Sequence, residues 1–145
     1  MGFRPKDYDL HINFPGGVPI DGPSAGISIA TAIVSAIRGI PVDHRIAMTG
    51  EMSIHGKVKP IGGVLAKVEA AIQAGAKKII IPAENWLGVF EGLVDAEVIA
   101  VDRIEEVLMH ALSLSVEDEK TLIPPPSDAV IASSVSYLQA DSSER

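Results

Sequence analysis

Residues 64–82 read VLAKVEAAIQAGAKKIIIP, and no other part of the chain says as much about its architecture. The first half predicts a helix over Val64–Ala74, because apolar side chains recur there at helical spacing: Val64, Leu65, Val68 and Ile72. The second half contains the apolar run KIII over Lys78–Ile81, which Pro82 stops and which is typical of a short buried strand. A helix followed directly by a buried strand predicts a parallel sheet with crossover connections.

The alternation of helices and strands continues on both sides of this stretch. Further strands are predicted over Asp9–Phe14, Arg45–Thr49, Met52–Val58 and Glu97–Val101. Further helices are predicted over residues 23–38, Glu84–Leu93 and Ile104–Leu114. The helix at 23–38 is apolar around most of its circumference, which predicts that it is buried. This order predicts an α/β fold. The two short strands joined at Gly50-Glu51 look antiparallel, so α+β is the second choice.

The composition is that of an ordinary globular domain and excludes several functions. The 145 residues carry a net charge of −7, which argues against nucleic acid as the main partner. The absence of cysteine excludes disulfides, thiolate metal sites and cysteine catalysis. The start, MGFRPKDYDL, lacks the apolar core of a signal peptide, and the longest apolar stretch is shorter than the ~20 residues that a membrane helix needs. We therefore expect a cytoplasmic protein without a membrane segment.

The chain changes character near its C-terminal end. From Val116 it reads VEDEKTLIPPPSDAVIASSVSYLQADSSER, with three consecutive prolines and many serines. Such a composition is typical of a tail or an arm, because it interrupts helices and strands and buries little apolar surface. The sequence therefore predicts one domain over residues 1–114 and a flexible or arm-like tail over 115–145.

Nucleotide and metal sites are not supported by the glycine turns and histidines. Gly50 and Gly56 enclose five residues where a P-loop needs four, and Val58 stands where a serine or threonine should bind magnesium. Gly17 and Gly22 have the right gap, but Pro23 follows. The histidines are scattered and form no HExxH motif: His11, His44, His55 and His110. We expect neither a nucleotide site nor a metal site in this chain.

Residues 22–26, GPSAG, match the pattern G-x-S-x-G and make Ser24 a candidate nucleophile. Its small neighbours leave the hydroxyl open to a substrate. The backbone N–H groups of Ser24 and Ala25 at a helix start are suited to hold a developing oxyanion. The plainer interpretation is that Ser24 merely occupies a first helical turn, and the motif alone does not decide between the two.

A serine nucleophile needs a base, and the sequence leaves two kinds open. Asp102 and His110 follow the serine in the order of a hydrolase triad, but they fall on consecutive turns of one predicted helix. The other choice is a lysine whose burial favours the neutral amine. Lys67 is the best candidate, because its helical neighbours are small enough for another element to enclose it: Gly63, Ala71 and Ala74. The alternative is an ordinary exposed lysine on an amphipathic helix.

Three segments together resemble the proteolytic domain of the Lon family of ATP-dependent proteases: DGPSAG at 21–26, MTGEMSIHGKVKPIGGVLAK at 48–67 and IIIPAENW at 79–86. The resemblance extends from about Asp9 to about Leu112. It implies a serine–lysine dyad of Ser24 and Lys67. It also implies that Thr49 helps to hold the lysine and that Asp21 is a regulatory or orienting residue. The family has its own α/β fold, so the resemblance removes the α/β-hydrolase interpretation.

The resemblance also implies an activity and its partners. It implies a serine endopeptidase that acts on unfolded or poorly folded polypeptides and assembles with itself, as a hexamer in the family. Family members usually carry an ATPase module, so ATP and magnesium are expected only for a part absent from this chain. Strands that precede the equivalent of Asp9 in the family are expected to be missing as well. The competing hypothesis is a non-catalytic Lon-like domain used for assembly or binding.

Overall fold

A computed structural model describes residues 9–14 and 22–112 of the chain. Three α-helices are present in this part: α1 (Gly26–Arg38), α2 (Val64–Gln73) and α3 (Ile104–Ala111). Five strands accompany them: β1 (Ile46–Met48), β2 (Glu51–Met52), β3 (Val58–Lys59), β4 (Lys78–Pro82) and β5 (Glu97–Val101). In the described residues every helix falls short of the length and hydrophobicity that a membrane crossing requires.

A parallel sheet with the order β1-β4-β5 forms the centre of the fold. β4 lies in the middle and pairs with β1 from Lys78 to Ile80 and with β5 along its whole length. Because both of its edges are paired and both of its faces are covered, β4 is apolar without interruption after Lys78 and does not alternate. The α/β prediction from KIII is therefore confirmed.

The two faces of β4 belong to two different apolar clusters. Ile80 points to the face covered by α1 and α3, where it packs with Ile27 and Val107. Ile79 and Ile81 point to the face covered by α2, where they belong to a cluster that also contains these residues: Val64, Val68, Phe90 and Ala96. Successive residues of a strand point to opposite faces, so one short segment anchors both layers of helices.

The antiparallel element differs from the prediction. The sequence predicted two strands that meet at Gly50-Glu51, whereas β1 pairs only with β4, and the hairpin is formed by β2 and β3. The predicted strand Met52–Val58 was wrong, because a turn interrupts it. Gly56 lies in that turn at a φ of +76°, a conformation that glycine adopts without steric cost.

Residues 9–14 do not form the predicted strand. Their polar and apolar residues alternate, but the segment has no hydrogen-bonded neighbour within the described part of the chain and its apolar side chains are exposed. A strand exists only when it is paired, and an alternating pattern does not supply the pair.

Three helix predictions needed correction. Residues 23–25 form a 3₁₀ turn, so the α-helix begins three residues later than expected. Residues 84–93 form two 3₁₀ turns, Ala83–Asn85 and Gly88–Gly92, instead of an α-helix. The last helix ends at Ala111, and Leu112 adopts extended backbone. The predicted tail and Asp21 lie outside the described residues.

The burial predicted for the first helix is found on one side only. Ile27 and Thr31 are its buried residues, and the remaining apolar positions are half-buried or exposed. The Thr31 hydroxyl donates to the Ile27 carbonyl at 2.8 Å, a local bond that satisfies a polar group inside the core. α1 therefore rests on the sheet with one face and leaves much apolar surface uncovered.

Candidate active site

The turn that carries Ser24 depends on a glycine before it. Gly22 has φ +88° and ψ 163°, a region of backbone conformation that is essentially restricted to glycine. Pro23 follows at the start of the 3₁₀ turn, where its missing N–H costs nothing. The chain thus enters the helix abruptly, and Ser24 sits half-buried just ahead of the first residue of α1.

Three hydrogen bonds fasten this turn to the two residues that follow β1. The Ser24 carbonyl accepts the Gly50 N–H at 2.8 Å and the Thr49 hydroxyl at 3.2 Å. In return, the Ile27 N–H donates to the Gly50 carbonyl at 3.2 Å. Three bonds between two short segments hold the position of Ser24 relative to the sheet.

Gly26 is required by the close approach of these segments. A Cβ atom at this position would lie 3.0 Å from the Met52 backbone nitrogen and 3.4 Å from the Gly50 carbonyl oxygen. Both of these atoms belong to backbone, which yields less easily than the end of a flexible side chain. The second glycine of GPSAG therefore serves the docking of α1 against β2.

Gly26→Ala is expected to lower the thermal stability of the protein. Alanine is the better helix former by roughly 1 kcal/mol, but overpacking against backbone costs about 1–3 kcal/mol, and the second effect should win. Gly88→Ala is the matched control, because its added methyl group would meet no atom within 4 Å. A Gly26→Ala melting temperature equal to or above that of the parent would contradict the packing argument.

Lys67 is positioned by the first turn of α2. Gly63 caps this helix in the left-handed conformation, at φ +66°, and its carbonyl accepts the Lys67 N–H at 3.2 Å. The side chain of Lys67 is exposed in the described structure. The predicted enclosure by another element is therefore wrong here: the small residues on its stripe leave open space instead of a packed contact.

That open space is a cavity shared by Ser24 and Lys67. It measures about 360 Å³ and lies between the start of α1, the end of β1 and α2. Its lining consists of these residues: Ser24, Ala25, Ser28, Ala47, Met48, Thr49, Lys67, Ala70, Ala71 and Ile79. The fold thus brings together residues from four separate sequence segments, including the predicted nucleophile, the predicted lysine and Thr49.

The two residues of the alternative triad are not part of this lining. Asp102 precedes α3, where its carbonyl accepts the Val58 N–H, and His110 lies in the last turn of α3 with an exposed side chain. Lys67 is the only ionisable side chain among the described residues that line the cavity. Within the cavity, Lys67 is therefore the remaining candidate for a base.

Thr49 contacts a different group from the one that the resemblance implies. It shares the cavity with Lys67, but its hydroxyl donates to the Ser24 carbonyl. Ser28 is a further cavity residue that sequence reasoning missed. Its hydroxyl donates to the Met48 carbonyl at 3.2 Å, which ties α1 to β1 a second time. The signal for Ser28 was its spacing of one helical turn from Ser24.

The largest perturbation of an acid in the described residues lies away from the cavity. Bonds from the Arg45 guanidinium and backbone hold the pKa of Asp43 well below its usual range, and the same pair raises the pKa of Arg45. The ion pair measures 2.7 Å and follows directly from the sequence proximity of the two residues. It accounts for the perturbation without a functional role. Among the described residues no cluster of metal-ligating side chains was found.

The comparisons with known proteins agree on one family. The family model described as the Lon protease (S16) C-terminal proteolytic domain matches residues 3–114. Lon protease 2 of Bacillus subtilis (strain 168) is 52% identical over 128 residues, which cover 88% of this chain and 21% of that protein.

Two further relatives come from different branches of the prokaryotes. The archaeal Lon protease of Archaeoglobus fulgidus is 55% identical over 114 residues, covering 74% of this chain and 18% of that protein. Lon protease 1 of Thermus thermophilus is 53% identical over 112 residues, covering 74% of this chain and 14% of that protein. The chain therefore spans about a fifth or less of the length of these relatives.

Proposed function

The chain belongs to the Lon protease family, as its C-terminal proteolytic domain, and from this we propose that it is a serine endopeptidase with Ser24 as nucleophile and Lys67 as base. One observation carries the proposal. Ser24 and Lys67, which are far apart in the sequence, line the same cavity, and among the described residues the lysine is the only ionisable side chain in that lining. A weak nucleophile beside one candidate base is the arrangement that covalent catalysis needs.

The reaction has two halves. In the first, the Ser24 hydroxyl attacks the carbonyl carbon of the scissile peptide bond while the neutral amine of Lys67 takes the hydroxyl proton. The tetrahedral intermediate then collapses, and Lys67 returns that proton to the leaving amine. An acyl ester on Ser24 remains. In the second half, water attacks the ester with the same amine as base, which releases the acid and restores the serine.

The first turn before α1 supplies the oxyanion site. Helices leave their first N–H groups without intrahelical partners, and Ser24 and Ala25 occupy such positions at the cavity wall. N–H groups aimed at the place where negative charge develops are among the largest contributions in acyl transfer, worth about 2.7–4 kcal/mol for one donor. We assign this role to the backbone of these two residues.

The base must be neutral when it acts, and the cavity offers a route to that state. Most of its lining is apolar, with three alanines from β1 and α2 and the side chains of Met48 and Ile79. A polypeptide lying across the opening would exclude water from this space. Desolvation favours the uncharged form of an amine. A bound polypeptide would thus bury the Lys67 amine, which is exposed in the described chain.

Thr49 positions the nucleophile in this proposal, and Thr49→Val tests that role. The change removes the hydroxyl that donates to the Ser24 carbonyl, whereas the Gly50 N–H bond to the same oxygen remains. Peptide hydrolysis should therefore fall about tenfold, far less than after loss of Ser24, because a supporting group adjusts geometry without transferring a proton. Turnover of an internally quenched peptide is the measurement.

Thr49→Ser is the matched control, since it keeps the hydroxyl and should retain most of the activity. Two results would contradict the assignment: full activity in Thr49→Val, or a loss as complete as that caused by Ser24→Ala.

A non-catalytic Lon-like domain for assembly or binding is the second candidate, and the exposure of Lys67 favours it. A lysine base depends on burial, and the described residues leave Lys67 exposed. Incubation with a fluorophosphonate, which reacts preferentially with activated serines, separates the two candidates. Covalent modification supports the protease, and its complete absence from folded protein supports the binding domain.

The substrates and partners follow from the proposed activity. We propose unfolded or poorly folded polypeptides as substrates, a homo-oligomer as the working assembly, and an ATPase module outside residues 1–145 as the source of ATP dependence. Titration of peptide hydrolysis with ATP and magnesium, on the 145-residue chain and on the full-length protein, tests the last point. Stimulation of the 145-residue chain alone would place a nucleotide site within it.

A further inference from the structure

Both polar atoms of the Asn85 side chain form hydrogen bonds with the backbone of Ile61, which is distant in the sequence. Asn85 ends the 3₁₀ turn Ala83–Asn85, directly after β4. Its Oδ1 accepts the Ile61 N–H at 2.8 Å, and its Nδ2 donates to the Ile61 carbonyl at 2.9 Å. The amide thus pairs with Ile61 as a neighbouring strand would. The hydrogen bonds are partly buried, where water competes less for them.

Ile61 lies in the loop that connects β3 and α2. Residues 60–63 read PIGG and contain no regular secondary structure. Gly62 and Gly63 would meet no atom within 4 Å if they carried a Cβ, so packing does not hold this loop at its glycines. Glycines also leave the backbone more conformational freedom than other residues. The Ile61 side chain packs against the apolar cluster that contains Val64 and Val68, and the Asn85 amide adds two hydrogen bonds that fix the backbone of the loop at the same residue.

The loop leads directly to the proposed base. Ile61 lies two residues before the Gly63 cap of α2, and the Gly63 carbonyl accepts the N–H of Lys67. Only Gly62 and Gly63 separate Ile61 from the first turn of α2, so the bonds to Asn85 fix the backbone immediately before the helix begins. The position of the Lys67 amine at the cavity thus depends on where this loop is held.

We propose that Asn85 is a positioning residue for the reaction: its amide fixes the loop at residues 60–63 against the end of β4, and so sets the distance between the amine of Lys67 and the hydroxyl of Ser24. The inference rests on the proposed dyad. It differs from a purely structural role in one respect. A structural clamp affects how much protein is folded, whereas a positioning clamp changes the turnover of the protein that remains folded.

Asn85→Asp is the sharpest variant, because it alters one of the two bonds. The carboxylate still accepts the Ile61 N–H, but an oxygen replaces the Nδ2 donor and faces the Ile61 carbonyl. Two acceptors repel, so the loop should move away from β4. Asn85→Ala removes both bonds. Glu84→Gln is the matched control, since Glu84 lies in the same turn and forms an exposed ion pair of 3.3 Å with Lys57.

The test uses the full-length protein and an internally quenched, unstructured peptide, with kcat and KM measured well below each melting temperature. We expect kcat to fall about 10- to 100-fold in Asn85→Asp and Asn85→Ala, with KM within about twofold of the parent, because a shift of ~1 Å in catalytic geometry costs roughly a hundredfold. Glu84→Gln should stay within about twofold in both constants. If Asn85→Asp does not melt cooperatively, the milder Asn85→Ser replaces it under the same criteria.

Unchanged kcat in folded Asn85→Asp and Asn85→Ala, with only a lower melting temperature, would overturn the positioning role and leave a structural clamp. Ser24→Ala and Lys67→Met are measured in the same assay. They distinguish failure of the inference about Asn85 from failure of the proposed function. If both dyad variants are inactive while the Asn85 variants keep full kcat, only the inference falls. If the dyad variants stay active, the proposed function falls, and the inference falls with it.

Discussion

Ser24→Ala is expected to abolish peptide-bond hydrolysis. The change removes only the Oγ atom from a half-buried turn, and with it the nucleophile of the proposed reaction. Enzymes that lose the nucleophile of an acyl-transfer site lose on the order of 10⁶ in turnover, and the small remainder comes from binding and oxyanion contacts. In an internally quenched peptide assay the activity should fall below detection.

The fold should survive this change. The hydrogen bonds that fasten the turn use the Ser24 carbonyl, which alanine retains, and the side chain fills no core position. The melting temperature should stay within a few degrees of the parent, since substitutions outside the core usually change stability by less than about 0.5 kcal/mol.

Ser35→Ala is the matched control for the Ser24 variant. It removes a hydroxyl from the far end of the same helix, where the group donates to the Ile40 carbonyl at 2.6 Å. This variant should keep full turnover. Ser24→Ala with substantial activity would refute the nucleophile, and a shared loss in both serine variants would point to damage of α1 instead.

Lys67→Met is expected to be as inactive as the loss of the serine. Methionine keeps an unbranched apolar stem but offers no group that can take the proton of Ser24. Since no other ionisable side chain lines the cavity within the described residues, no neighbour is placed to substitute for it. Turnover should again drop below detection.

Lys67→Arg separates the base from the charge. The guanidinium keeps a positive charge at the cavity but does not release its proton in proteins, so this variant should also be inactive. Activity in Lys67→Arg would mean that the lysine contributes charge alone. Lys77→Met is the matched control, because Lys77 is an exposed lysine outside this cavity and its loss should leave turnover unchanged.

The centre of the fold was predictable because the composition of β4 alone indicates a strand that is buried on both faces. A strand segment covered on both faces is a continuous apolar run, and the three isoleucines at 79–81 meet that condition without reference to any other segment. Helix α2 was predictable for a similar reason, since Val64 and Val68 lie one turn apart on the face that packs against the sheet.

The strand predictions that were wrong concern segments whose pairing depends on other parts of the chain. Residues 9–14 have the alternation of a strand, yet pairing is a property of two segments, and no partner is placed beside them in the described structure. The hairpin of β2 and β3 was misplaced for a related reason. Gly56 makes the turn, but a single glycine inside an alternating stretch is also compatible with a continuous strand.

The sequence proposed Ser24, Lys67 and Thr49 as site residues, and the structure places all three around one cavity, but the environment of the lysine differs from the prediction. GPSAG pointed to Ser24, and the resemblance to a family paired it with Lys67. The small stripe beside the lysine suggested enclosure, whereas Ala70 and Ala71 line an open cavity. Small side chains permit either close packing or empty space, and only the position of neighbouring elements decides between them. The hydrogen bonds of Asn85 could not be predicted from the sequence, because their partner, Ile61, lies in a loop that is distant along the chain.

Site-resolved labelling tests the dyad most directly. The protein is treated with a fluorophosphonate, and the modified residue and its rate of modification are determined by mass spectrometry. We predict one adduct, on Ser24, which forms at least about 100-fold more slowly in Lys67→Met because the base that activates the serine is gone. An adduct on another residue, or labelling of Ser24 at the parental rate in Lys67→Met, would contradict the serine–lysine mechanism.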